Sequence, residues 1–174
     1  IIAKKFKFKL LTSGKLYRLI AFKILNNNNK YNPKFIKKIS KKITLKDLDS
    51  KKIFSQKVTE LASIIAKIKY IRSSLKQFQL NFIKKNKRVI IEGRDIGSKI
   101  MPDADLKIFF KCSLREKTRR RLIEYKNKNK EIKLKDVKKA LKLRDFSDIN
   151  RKESPLLLVK GAVIVDTTNL SKKQ

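Results

Sequence analysis

The chain has 174 residues, enough for one domain with a substantial apolar core. It has no histidine and a single cysteine, Cys112, which excludes histidine-based catalysis, histidine metal sites and a disulfide framework. Its formal net charge is +33, and no apolar run approaches the roughly 20 residues that cross a bilayer, so we expect a cytoplasmic protein without a membrane partner.

The high positive charge has two interpretations. A charge of this size is common in nucleic-acid-binding proteins. Here the lysines are spread along the whole chain, and Lys, Asn, Ile and Phe are abundant together, as expected from an AT-rich coding sequence. We therefore interpret the charge as a solvated basic surface and expect no dedicated nucleic-acid partner. A basic RNA-binding module, with aromatic side chains interleaved with arginine on one face, remains the alternative.

The start of the chain predicts a helix, a strand end and a second helix. Residues 1–8 are typical of the tail of an amphipathic helix, and residues 10–11 of a short strand end. Thr12-Ser13-Gly14 then turns the chain, and apolar residues recur at near-helical spacing over 16–25. Because a serine hydroxyl at a helix start accepts hydrogen bonds from the first amides, we expect Ser13 to cap this helix.

The next stretch predicts mostly helix. Pro33 favours the first turn of a helix that reaches about residue 41. Residues 43–58 are ambiguous, and we interpret them as a reduced strand followed by a turn. Residues 59–84 predict a long helix with a break near residues 69–70.

Strands and helices alternate in the second half of the chain. Runs rich in apolar residues predict strands at about 88–92, 107–111 and 162–166, with helices between them at 114–125 and 132–143. Alternation of this kind predicts an α/β fold with a parallel sheet and right-handed crossovers.

A charged turn follows the predicted strand at 88–92. Gly93 and Gly97 bracket Arg94 and Asp95. Ligands of open α/β sheets sit beyond the carboxyl ends of the strands, so this pair is well placed for a charged ligand. Spacing alone leaves a surface ion pair in a turn as an equal alternative.

Further motifs accompany this turn in a fixed order. They are Thr12-Ser13-Gly14-Lys15-Leu16-Tyr17-Arg18, the turn itself with Pro102-Asp103-Ala104-Asp105, Arg144-Asp145-x-x-Asp148-x-x-Arg151, Ser154-Pro155-Leu156 and Asp166-Thr167-Thr168. This set resembles bacterial cytidylate kinases over nearly the whole chain. The resemblance implies a three-layer parallel sheet flanked by helices, of the P-loop nucleoside monophosphate kinase type. It also implies a single kinase domain over 1–174, with a reduced monophosphate-binding insert at 26–62 and a lid at 120–136.

The implied activity is transfer of a phosphoryl group from ATP to CMP or dCMP, with Mg²⁺, by a protein that is a monomer when complete. Such transfer needs positioning and neutralisation of charge, for which the arginine fork is suited. The resemblance assigns Arg18, Arg94 and Arg151 to the phosphate of the monophosphate as the catalytic set.

The resemblance also assigns the remaining site residues. Cytosine presents an amine, which calls for acceptors, and two acceptor atoms, which suit an arginine; structural ion pairing or simple exposure on a helix is the alternative for each residue. The family places Ser63, Arg72 and Asp95 on the base, Arg144 and Asp148 on the ribose, Ser13 at the monophosphate end, and Arg120 and Arg121 on ATP.

The chain departs from the family pattern at several points. Thr12 stands where the family has Asp, and Lys117 where it has Arg. No Gly-x-x-x-x-Gly-Lys-Ser/Thr phosphate loop occurs. We therefore expect a chain incomplete at both ends, without the family's first strand, its phosphate loop and its C-terminal helix. Such a chain would be inactive alone, with a gap of one strand width in its sheet or neighbours collapsed into it. A truncated or degenerate kinase that only binds a nucleoside monophosphate is the second alternative.

Overall fold

The computed structural model describes residues 1–28, 30–127 and 131–171. The chain forms two compact units, Ile1–Ile100 and Met101–Gln174. Within the described residues, no helix combines the length and the apolar character needed to span a membrane.

The first unit is mainly helical around one strand pair. Its strands β1 (Lys9–Thr12) and β2 (Val89–Glu92) pair in parallel, with Leu11 opposite Ile91 and Thr12 opposite Glu92. Its helices are α1 (Ile2–Lys5), α2 (Ser13–Leu25), α3 (Pro33–Lys41), α4 (Gln56–Ile65) and α5 (Lys69–Lys85). Two short 3₁₀ helices, Lys46–Asp49 and Lys51–Phe54, lie between α3 and α4.

The core of the first unit forms around α2. The side chains of Leu16, Ile20 and Ile24 recur every four residues, so they lie on one face of the helix, and all three are buried. Burial of an aliphatic side chain contributes about 1.5–3 kcal/mol, so this stripe is a main source of stability for the unit. The helix predicted over residues 16–25 is therefore confirmed.

Local hydrogen bonds fix where several helices begin. The Asn32 side chain accepts a hydrogen bond from the Phe35 amide at 2.9 Å, and Pro33 occupies the first turn of α3, as predicted. The prediction for Ser13 was wrong. α2 begins at Ser13 itself, and no side chain caps its first turn. Ser13 is instead buried at the end of β1.

The segment at 43–58 contains no strand, which corrects the prediction. The Asp47 carboxylate accepts hydrogen bonds from the amide and the hydroxyl of Thr44, both at 2.8 Å, and closes a turn. Leu48 and Ile53, one on each 3₁₀ helix, are buried in the core. Asx and Thr turn chemistry thus replaces the expected extended backbone. The break in the next helical stretch lies at 66–68, just before the predicted position.

The second unit has its own strand pair and two long helices. β3 (Ile108–Lys111) and β4 (Val163–Asp166) pair in parallel, with Lys111 opposite Asp166. Helices α6 (Leu114–Lys126) and α7 (Leu134–Asn150) pack on each other. The α7 helix was predicted to end at residue 143 but continues to Asn150, and therefore carries Arg144 and Asp148.

The strands and helices together confirm the predicted α/β class with parallel strands. The described strands hydrogen-bond as two separate pairs. The expected gap or collapse in the sheet, the single domain, the insert at 26–62 and the lid at 120–136 stay predictions. Residues 128–130 of that lid lie outside the described residues.

Candidate functional site

The candidate site of the first unit lies at the carboxyl ends of β1 and β2. Because these parallel strands end in register, Thr12 and Ser13 lie beside Glu92 and Gly93. A methyl group built on Gly93 would come within 3.0 Å of the Ser13 Cβ and 2.9 Å of the Ile96 side chain. A residue without a side chain is therefore needed at 93 for the two motifs to approach this closely.

A buried ion pair lies just beyond Gly93. Arg72 and Asp95 are 8% and 6% exposed, and the Arg72 Nη2 donates a hydrogen bond to Asp95 Oδ2. The Arg72 Nη1 donates a second hydrogen bond, of 2.8 Å, to the Ala66 carbonyl at the end of α4. The sequence-predicted residues Arg72 and Asp95, 23 positions apart, are thus brought into contact.

An aromatic ring that sequence reasoning missed completes this cluster. The guanidinium carbon of Arg72 lies 5.5 Å from the centre of the Tyr17 ring, and Tyr17 is 9% exposed. The feature of the sequence that could have identified Tyr17 is its position inside the Thr12–Arg18 motif. Its place among the apolar residues of α2 made it indistinguishable from a core side chain.

Arg18 and Ser63 lie on neighbouring helices of the same unit. The Arg18 Nη1 donates a hydrogen bond of 2.6 Å to the Thr59 hydroxyl on α4, and its guanidinium lies 5.3 Å from the centre of the Phe54 ring. Ser63 is exposed on α4, and its hydroxyl donates to the Glu60 carbonyl at 2.7 Å. Simple exposure on a helix is the alternative that the sequence left open for Ser63.

Arg94 lies at the surface between Gly93 and the buried Asp95. Its neighbours in sequence thus point into the protein or lack a side chain, while its own side chain is exposed. The segment after Asp95 turns as a short π-helix, Ile96–Ile100.

The second unit contains a cluster of three further predicted residues, Arg144, Asp148 and Arg151. Asp148 on α7 accepts a hydrogen bond of 3.3 Å from Arg151 Nη1, and its other oxygen lies 3.9 Å from Arg144 Nε. Arg151 Nε donates a hydrogen bond of 2.7 Å to the Ser154 carbonyl. Each oxygen of the Asp148 carboxylate therefore lies within 4 Å of one of two arginines near the end of α7.

Arg120 binds the loop that follows β4. Its Nη1 and Nη2 donate to the hydroxyl and the carbonyl of Thr167, at 3.3 and 2.5 Å, and Nη2 also donates to the Leu170 carbonyl at 3.1 Å. Its Nε donates to Glu116 at 2.8 Å. Arg121 donates to Glu124 at 2.8 Å. Both predicted ATP contacts therefore have partners within the protein.

Two carboxyl groups of the second unit have lowered pKa values. Hydrogen bonds from Arg119 and then Arg120 lower the pKa of Glu116 to about 2. Hydrogen bonds from the Thr168 hydroxyl and amide lower the pKa of Asp166. Both groups stay ionised at neutral pH and hold the start of α6 and the end of β4 in place.

The described residues offer no obvious metal site. No three of their Cys, Asp or Glu side chains form a group that could hold an ion. A shallow cavity of about 560 Å³ opens on the first unit, and none of the predicted site residues lines it; its lining is Pro33, Lys37, Lys69, Tyr70, Ser73 and Ser74.

Comparison with known proteins identifies the family. The cytidylate kinase family profile matches residues 1–174. A cytidylate kinase of Fusobacterium nucleatum is 41% identical over 98% of this chain and 83% of its own length. Cytidylate kinases of Caldicellulosiruptor saccharolyticus and Rickettsia felis are 34% and 35% identical, over 98% of this chain and 82% and 78% of their own lengths. The chain therefore belongs to the cytidylate kinase family, which confirms the predicted enzyme class, a nucleoside monophosphate kinase.

Proposed function

We propose that this chain transfers the γ-phosphoryl group of ATP to CMP or dCMP, giving CDP or dCDP. The observation that carries the proposal is the buried Arg72–Asp95 pair at the carboxyl end of β2. Burial of two charges is costly unless they are paired and hydrogen-bonded. A pair at this end of a parallel strand lies where α/β proteins bind ligands.

The chemistry of the pair suits cytosine. Asp95 accepts hydrogen bonds, and the exocyclic amine of cytosine donates them. Uracil has a carbonyl in place of that amine, so its oxygen would face a carboxylate with no proton between them. Sites that hydrogen-bond one substrate group discriminate strongly against an analogue that lacks it. We assign Arg72 to the same base, as the donor to its O2 and N3 atoms. We also assign Ser63 to this base, as a further acceptor for the amine.

The phosphate of the monophosphate is assigned to arginines. Arg94 directly follows Gly93, whose contact with Ser13 we assign to the monophosphate end, and Arg18 lies on α2, the helix that begins at Ser13. A guanidinium neutralises phosphate charge without losing its proton and binds two oxygens at once. That Arg151 binds the same phosphate stays a prediction.

Arg144 and Asp148 are assigned to the ribose hydroxyls. A carboxylate accepts from a sugar hydroxyl, and a guanidinium donates to one. The hydrogen bond between Asp148 and Arg151 would tie ribose binding to an arginine that we assign to phosphate.

Two arginines, Arg120 and Arg121, are assigned to ATP, the phosphoryl donor. Arg121 is the better candidate for ATP, because Arg120 already makes four hydrogen bonds to Glu116, Thr167 and Leu170. Mg²⁺ usually bridges nucleotide phosphates and keeps several waters. Among the described residues no three Cys, Asp or Glu side chains come together, so the nucleotide phosphates and waters would supply most of the oxygen ligands of the ion.

Binding of a nucleoside monophosphate without transfer is the second candidate function. It is favoured by one observation: both arginines assigned to ATP, Arg120 and Arg121, already donate hydrogen bonds to groups of the protein itself.

The test is a comparison of CMP and UMP. We expect the 174-residue chain to bind CMP more tightly than UMP in titration calorimetry. In Asp95→Ala the CMP affinity should fall by about 10- to 100-fold, as expected for a hydrogen bond to a charged group, with a smaller loss for UMP. Asp136→Ala, which removes an exposed carboxylate on α7, is the matched control.

Two further measurements separate the alternatives. Asp95→Ala leaves the buried Arg72 charge without its partner, which costs about 3–5 kcal/mol of stability. The double variant Arg72→Met/Asp95→Leu removes both charges and should fold, yet it should lose the CMP preference. CMP-dependent formation of ADP from ATP then distinguishes transfer from binding. Equal affinity of the unsubstituted chain for CMP and UMP would refute the assignment of Asp95 to the cytosine amine, and failure to bind either nucleotide would refute both candidates.

A further inference from the structure

Tyr17 and Arg18 are adjacent on α2, yet their side chains contact different sets of residues. Arg18 reaches Thr59 and Phe54, on α4 and the preceding 3₁₀ helix. The Tyr17 ring lies against the guanidinium of Arg72 on α5. The first turns of α2 therefore support both assigned recognition groups, that for the phosphate and that for the base.

Arg72 has three kinds of contact, and each comes from a different element. Nη1 donates to the Ala66 carbonyl at the end of α4, Nη2 donates to Asp95 after β2, and the guanidinium carbon lies 5.5 Å from the Tyr17 ring centre. The N–H groups of a guanidinium lie in its plane, so hydrogen bonds to two acceptors still allow the plane to tilt about the line between those acceptors. The ring of Tyr17 beside the guanidinium restricts this tilt.

We propose that Tyr17 is a positioning residue for base discrimination. Its ring holds the Arg72 guanidinium in one orientation, and that guanidinium holds the Asp95 carboxylate toward the cytosine amine. The proposal rests on the proposed function, because it assumes that Asp95 reads the base. A cation near an aromatic face gains most when both groups are removed from water, and here Tyr17 and Arg72 are both buried. The hydroxyl of Tyr17 is not needed for this role.

The first test compares Tyr17→Leu with Tyr17→Phe. Leucine removes the ring, and CMP affinity should fall by about 5- to 30-fold while UMP affinity changes by less than about twofold. Phenylalanine keeps the ring face, and both affinities should stay within about twofold of the original. A purely structural role would lower the thermal unfolding temperature without changing the ratio of CMP to UMP affinity in the folded protein.

A second variant covers the case in which Tyr17→Leu does not fold. Phenylalanine carrying several ring fluorines, incorporated at position 17, keeps the size of the ring and weakens its negative face. Relative to Tyr17→Phe, it should lower the CMP-to-UMP affinity ratio at an unchanged unfolding temperature. If the unsubstituted chain prefers CMP and the fluorinated variant keeps the full ratio, Tyr17 has no positioning role. If the unsubstituted chain shows no preference for CMP, the assignment of Asp95 to the cytosine amine fails first.

Discussion

At the scale of single residues, the arginines differ in how exposed they are. Arg72 is 8% exposed, and its hydrogen bonds to the Ala66 carbonyl and to Asp95 hold its guanidinium in place inside the first unit. Arg94 is exposed at the end of β2, beside a glycine and a buried carboxylate. Exposure at this place is what a phosphate-binding arginine requires.

Substitution of Arg94 tests its assignment to phosphate. Arg94→Ala should weaken CMP binding by about 10- to 100-fold, because a charge-assisted hydrogen bond contributes about 1.5–3 kcal/mol. Cytidine, which lacks the phosphate, should bind equally to both proteins. Titration calorimetry with the two ligands measures the difference.

Arg88→Ala is the matched control for Arg94→Ala. Arg88 lies just before the other end of β2, with its guanidinium 4.7 Å from the centre of the Phe8 ring. The Arg88→Ala substitution removes the same charge from the same part of the chain and should leave the CMP affinity almost unchanged. Equal losses in the two variants would mean that Arg94 acts only through the general positive field.

The sequence indicated part of the site at this scale. Arg72 and Asp95 were assigned together from the family resemblance, and the structure brings them into contact. Tyr17 could not be assigned, because an aromatic residue on the apolar face of a helix is usually a core residue. Its contact with a charge depends on α5, whose side chains are more than 50 residues away in sequence. No local pattern encodes such a contact.

At the scale of elements, prediction succeeded where a segment carries its own signals. Pro33 preceded by Asn32 marks a helix start in any context, because the cap and the fixed φ angle act locally. The prediction of a strand within 43–58 was wrong because the segment carries no clear helix or strand pattern. The spacing of its apolar residues fits neither a strand nor a helix; they are Ile43, Leu45, Leu48, Ile53, Phe54 and Val58. The turn is closed by hydrogen bonds from the amide and the hydroxyl of Thr44 to the Asp47 carboxylate, which a hydrophobic pattern does not reveal.

The first turn of α6 provides a pH-dependent element. Arg119 donates two hydrogen bonds to Glu116, both at 2.7 Å, and these bonds and that from Arg120 lower the pKa of Glu116 from 4.5 to about 2. A carboxyl group with a lowered pKa stabilises the folded state above its unfolded pKa and loses that effect as pH falls. The contribution of Glu116 should therefore be complete above pH 4.5 and vanish as pH approaches 2.

Glu116→Gln tests this contribution. The difference in the free energy of unfolding between the original chain and this variant should be largest near neutral pH and shrink steadily as pH falls from 4.5 to about 2. Urea titration at a series of pH values measures it. Glu131→Gln, which removes an exposed glutamate outside the helices, controls for the loss of one negative charge. A difference that is independent of pH would show that the arginine hydrogen bonds do not depend on ionisation.

At the scale of the whole molecule, two surface properties oppose each other. The net charge of +33 keeps copies of the chain apart at low ionic strength. The strand pair of the second unit, however, exposes large apolar side chains, among them Ile108, Phe110 and Val163. Phe110 alone is 63% exposed. Exposed apolar strands favour association between chains when nothing else prevents it.

Salt should decide which of these properties dominates in the 174-residue chain. Charge repulsion is screened beyond about 30 Å at 0.01 M salt but beyond only about 3 Å at 1 M, whereas burial of apolar surface is not weakened by salt. We therefore expect monodisperse protein at low salt and association as salt rises, measured by light scattering. Phe110→Lys adds a charge and removes an apolar group on β3, so it should move the onset of association to higher salt. Leu134→Lys makes the same change on α7, away from the strands, and should move the onset less. Scattering that falls as salt increases, or equal shifts for the two variants, would show that the exposed strand pair does not drive association.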